Sequence, residues 1–152
     1  MKYAAFLIVA ALPCVAFAQN SVTLKNEVFV ARTVTDAQGN KKNTLQEPTT
    51  VLPGEPLAII ISYANAGTKP AAGFVINNPI PKAVSYTGVE QAWATVTVDG
   101  KTFGPLATLK VPKGDGTMRA ATVSDVTAVR WKFAQPIAAG ATGRVMFYGI
   151  VK

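Results

Sequence analysis

Residues 22 to 34 alternate along the chain. Val22, Leu24, Val28, Val30 and Val34 fall on one side, while Thr23, Lys25, Glu27 and Thr33 fall on the other, whose polarity Phe29 and Ala31 interrupt. A period of two over this length predicts a half-buried strand. The stretch 36–50 is polar, carries Gly39, Asn40 and Pro48 as turn residues, and reads as an exposed loop or linker. Leu57 to Ala64 is apolar on both sides, with Leu57, Ile59, Ile61 and Tyr63 on one and Ala58, Ile60 and Ala64 on the other. A strand with two apolar faces belongs in the middle of a sheet.

Short strands continue to the end of the chain. Gly73 to Asn77 carries Phe74 and Ile76 and is stopped by Pro79 and Pro81, since proline has no N–H for a ladder. Val84 to Val89 and Ala92 to Val98 follow, and Asp99-Gly100 is a hairpin signal joining the second to Lys101–Val111. Pro105 makes that partner an edge or bulged strand. Pro112 to Ser124 reads as a glycine-containing loop. From Val126 to Phe133, Val129, Trp131 and Phe133 point inward, and Ala128, Arg130 and Lys132 point outward. Arg144 to Val151 closes the series. The expected core therefore includes Ile59, Ile61, Tyr63, Trp131 and Phe133. The pattern predicts an all-β, immunoglobulin-like β-sandwich of about 7–9 strands.

The first eighteen residues stand apart. Lys2 is followed by the apolar run Ala4–Leu12, then Pro13, then Ala16-Phe17-Ala18. A charged start, a short apolar run and small residues at the end predict a secretion signal peptide cut before Gln19. The run is too short for a spanning helix, which needs about 20 apolar residues, so no membrane span is expected after cleavage. The expected organisation is a leader (1–18), an N-terminal strand (19–35), a polar linker (36–50) and the sandwich (51–152). The product would be secreted, periplasmic or displayed at the cell surface. Cys14 is the single cysteine and leaves with the leader, so the mature chain would be cysteine-free.

Charge and chemistry narrow the function mostly by exclusion. Without Lys2 the chain keeps 14 basic residues against 8 acidic ones. That balance suits an acidic partner, but no basic run exceeds Lys41-Lys42, so sequence-specific nucleic-acid binding is not expected. There is no histidine, which excludes histidine triads and imidazole acid–base catalysis. Neither histidine nor cysteine remains for a soft metal site, and no cofactor is expected. The acids show no spacing that marks a catalytic pair. Asp115, in Gly114-Asp115-Gly116-Thr117, is one carboxylate where a calcium loop needs several oxygen ligands, so a turn is expected there. The chain reads as non-catalytic.

Tyr63-Ala64-Asn65-Ala66-Gly67, Ala71-Ala72-Gly73-Phe74-Val75-Ile76, Asn78-Pro79-Ile80-Pro81 and Val84-Ser85-Tyr86 occur in this order. Val129-Arg130-Trp131 and Ile137-Ala138-Ala139-Gly140 then precede the final alternating strand. Together they resemble the bacterial conserved repeat domain, number eleven among the domains of unknown function, over about Glu47 to Lys152. The resemblance implies an immunoglobulin-like sandwich in an exported or cell-surface protein. Asn78 and Ile80 stand where that family often has Asp and Leu, and the domain occurs once rather than in tandem. Asn65 and Gly67 suit a tight turn with positive φ, and Gly140 sits where the chain reverses into the last strand.

Four surface residues are candidates for interaction. Trp93 shares its alternation with Thr95 and Thr97 and is expected to be exposed, as interface tryptophans are. Arg130 and Lys132 would form a patch with Arg144 if the last two strands are neighbours; charges so placed also protect sheet edges. Val22, Leu24, Val28 and Val30 form an apolar stripe that is either an ordinary first strand or a strand pairing between subunits. The expected function is that of a non-catalytic cell-envelope protein acting on a protein or an acidic envelope surface. The alternative is a self-assembling subunit of an extracellular fibre or surface layer, joined through the N-terminal strand.

Overall fold

Among the described residues, alternation and turn chemistry produce ten strands: β1 (Val22–Thr35), β2 (Lys41–Gln46), β3 (Pro56–Asn65), β4 (Val75–Pro79), β5 (Val84–Val89), β6 (Thr95–Thr97), β7 (Lys110–Pro112), β8 (Met118–Ala120), β9 (Ala128–Lys132) and β10 (Thr142–Val151). The computed structural model describes residues 22–48 and 50–152; the expected leader, its expected cleavage site and Cys14 lie outside them. A five-stranded sheet, ordered β2-β1-β3-β10-β5, faces a three-stranded sheet ordered β4-β9-β6, and β7 and β8 form a separate ribbon. The protein is an all-β sandwich, as the alternation predicts.

β3 occupies the centre because both its faces are apolar. β1 and β10 pair antiparallel with it on either side. Its inner face puts Leu57, Ile59 and Ile61 beside Val30 of β1 and Val145 and Phe147 of β10, against Val129, Trp131, Ile76 and Val96 of the small sheet. Its outer face carries a second cluster, in which Phe29 packs on Ala58, Ile60 and Met146. Burying each large side chain of this kind contributes roughly 1.5–3 kcal/mol. Trp131, fully buried at 0% exposure, donates its indole N–H to Gln91 Oε1 at 3.2 Å. The same oxygen accepts the Met146 N–H at 3.0 Å, so one carboxamide links the two sheets. Tyr63 and Phe133, both expected in the core, are only partly buried and meet edge to face at 5.0 Å.

Four expectations are corrected. The stretch 36–50 is not merely a linker: β2 pairs with Val30–Thr35 to make a hairpin. Asp36 folds it, accepting the N–H groups of Gln38 and Asn40 and the Asn40 amide, while Gly39 takes φ +83°. These bonds, the Asn40 N–H first, hold the Asp36 carboxyl below its usual pKa. Residues 92–111 do not form two long paired strands. Asp99 instead accepts Thr97 Oγ1 and the N–H groups of Lys101 and Thr102, which reduces the strand to Thr95–Thr97 and leaves a single bridge from Val96 to Gly104. Those bonds, with the Lys101 N–H the largest contributor, depress the Asp99 pKa strongly. The loop 112–124 contains β8, which pairs with β7 across a Lys113–Thr117 turn. Within that turn Asp115 accepts the Thr117 N–H and hydroxyl. Lastly, neither Asn65 nor Gly67 has positive φ. Asn65 is buried, and its amide serves the Lys69, Ile137 and Ala138 carbonyls while its oxygen accepts the Gly67 N–H. The side chain fastens the end of β3 to the turn before β10.

Candidate functional site: an open strand edge and its neighbouring grooves

β1 pairs with β3 only over Val22–Val30, and with β2 only from Val30 onward. Among the described residues, nothing pairs with the other edge of Thr23–Phe29. The direction of the backbone groups there follows from β3. Asn65 donates its N–H to Ala141 O and accepts the Gly140 N–H, both on the β10 side. Direction alternates along a strand, so Ala64, Ser62, Ile60 and Ala58 turn their groups toward β1. Their partners Thr23, Lys25, Glu27 and Phe29 turn theirs toward β3. Leu24, Asn26 and Val28 therefore direct their N–H and C=O groups outward to the open side.

The apolar side chains along that edge are also largely uncovered. Leu24 and Val28 share the inner face with Val30, but the small sheet does not reach them, and they are 49% and 43% exposed. Only Val30 of the predicted stripe enters the core. On the outer face, Lys25 and Glu27 make an ion pair at 2.9 Å. The bond to Glu27 and then its charge raise the Lys25 pKa, with a smaller contribution from Glu47.

An open groove of about 580 Å³ borders this edge. Three adjacent cross-strand rows line it, and the first and third of them, Thr23–Ala64–Thr142 and Lys25–Ser62–Arg144, flank Leu24–Tyr63–Gly143 and stand on the outer face. It therefore offers two cations and three hydroxyls on the face turned from the core. Arg144 does not join Arg130 and Lys132. β9 and β10, though consecutive, belong to opposite sheets, so the expected three-residue patch does not form. Arg130 is engaged at home: its Nε donates to Asn77 Oδ1 at 2.7 Å and its guanidinium lies 3.4 Å from the centre of the Phe103 ring.

Trp93 lies at a second cleft, of about 280 Å³, with Lys132, Phe133, Ala134 and Gln135. It is 48% exposed and rests edge-on against Phe133 at 5.2 Å. Its expected companion Thr97 is buried, because the loop after Asp99 folds back over it. Alternation alone carried no sign of the open β1 edge, since pairing partners are set by the tertiary fold. The Lys25–Ser62–Arg144 row was hidden for the same reason.

Among the described residues, no group of three or more His, Cys, Asp or Glu side chains is placed to hold a metal ion. The shortest ion pair among the described residues lies away from both grooves, where Arg119 grips Asp125 with two bonds at 2.7 Å. That guanidinium, more than any other partner, depresses the Asp125 pKa strongly. No family model, no curated protein and no solved structure matches the chain.

Proposed function

We propose that the protein is a non-catalytic, exported cell-envelope protein that works by binding, and that the open edge of β1 is its main binding surface. The observation that carries this reading is the outward row of backbone groups on Leu24, Asn26 and Val28 beside the exposed Leu24 and Val28 side chains. An uncovered edge of this kind is a template for another strand. The adjoining groove supplies the Lys25 and Arg144 charges and the Thr23, Ser62 and Thr142 hydroxyls for an acidic envelope component. The leader-like start of the sequence and the resemblance to the conserved repeat domain support export.

The test is cosedimentation of the full-length exported protein with isolated cell envelopes, beside an Asn26→Pro variant. The Asn26 N–H points to the open side, so proline there blocks the edge and leaves the β3 ladder intact. Wild type is expected in the pellet and the variant, with unchanged far-UV circular dichroism, largely in the supernatant. Equal retention of the two proteins would refute the edge as the binding surface.

A further inference from the structure

We propose that two copies of the chain pair through β1, antiparallel about a two-fold axis at Asn26, and so join their five-stranded sheets into one. This rests on the reading of the β1 edge as the interaction surface and names its partner as a second copy.

The register follows from the residues along the edge. With Asn26 opposite its own copy, Leu24 faces Val28 of the other subunit and Val28 faces its Leu24. These are the residues whose backbone groups point outward, so each opposed pair exchanges hydrogen bonds as a narrow antiparallel pair does. On the inner face, the four half-exposed apolar side chains meet one another. On the outer face, Lys25 stands opposite Glu27 of the second copy, and its Glu27 opposite Lys25. Opposite charges directly across a ladder stabilise the pair, and like charges destabilise it. Sliding the axis to Lys25 would set Lys25 against Lys25, and sliding it to Glu27 would set Glu27 against Glu27. Only the Asn26 register satisfies hydrogen bonds, apolar contacts and charge together.

The edge also has limits that fit this arrangement. β2 occupies it from Val30 onward, opposite Gln46, so the free stretch Thr23–Phe29 has Asn26 at its middle. Each copy uses the same surface, so the contact is isologous and closes on itself. The product is a dimer rather than the fibre that the N-terminal stripe suggested as an alternative.

Sedimentation equilibrium of the full-length exported protein, from about 1 μM to about 1 mM, tests the proposal across the range of transient association. A monomer–dimer equilibrium is expected. Lys25→Glu and Glu27→Lys should each weaken it by about tenfold or more, because both symmetry-related pairs turn repulsive. The double exchange, which restores opposite charges across the axis, should return it to within about threefold of wild type. Asn26→Pro should be monomeric with an unchanged melting temperature. A wild type that stays monomeric, a double exchange no better than the single ones, or open-ended filaments would each overturn the dimer. A monomeric wild type that still needs Asn26 for envelope retention would overturn the dimer and leave the binding reading standing. A dimer whose Asn26→Pro variant is retained as well as wild type would leave the dimer standing and remove the β1 edge from envelope binding alone.

Discussion

Two tryptophans divide the roles that a single residue type can take in a sandwich. Trp131 lies between the sheets at 0% exposure, with its N–H satisfied by Gln91, whereas Trp93 rides on the surface against Phe133. Trp131→Ala should destabilise the fold by about 3–5 kcal/mol, mostly by leaving a cavity and partly by removing one of the two donors to Gln91 Oε1. Trp93→Ala should cost much less, and denaturant unfolding of the two variants measures the difference. Alternation with Val129 made the burial of Trp131 legible in the sequence. The exposure of Trp93 was also legible, although its alternation partner Thr97 is covered by a loop. The role of Gln91 was not legible at all. A carboxamide in a turn has no period, and its two partners come from β9 and β10.

Elements form here by two different routes, and only one of them leaves a pattern. β3 and β9 are fixed by burial, so an unbroken apolar run announces the first and apolar positions at every second residue announce the second. β2 has Lys41, Lys42, Leu45 and Gln46 exposed and is held by the Asp36 turn and its ladder to β1, so its polar sequence resembled a linker. A close approach inside the main sheet gives a further test. Gly143 lies opposite Tyr63, and a Cβ there would collide with the Tyr63 hydroxyl and ring. Gly143→Ala should therefore destabilise by about 1–3 kcal/mol, the usual cost of overpacking. In a Tyr63→Ala background the same substitution should cost almost nothing. A double-mutant cycle by thermal unfolding reads the coupling directly. Equal costs in both backgrounds would place the strain elsewhere.

At the scale of the molecule, the segment before the polar hairpin is integral to the sandwich. Val30 enters the main core and Phe29 the second cluster. Deleting Gln19–Thr35 should lower the melting temperature and bare the edge of β3, with aggregation that rises with protein concentration. Calorimetry and light scattering measure both, and an unchanged melt would remove the segment from the fold. The sandwich itself was legible because ordinary strand spacing and turn residues specify it. The sites were less so, since sequence order does not say which sheet receives a strand, and β9 and β10 separated Arg130 from Arg144 for that reason. The same topology has a mechanical consequence. β1 and β10 both run antiparallel to β3, so they run parallel to each other, and Val22 lies at one end of the sheet while Val151 lies at the other. Tension applied between those two ends would drag β1 and β10 along β3 in opposite directions. The ladder bonds would then bear load side by side as in a lap joint, instead of parting one after another like a zip.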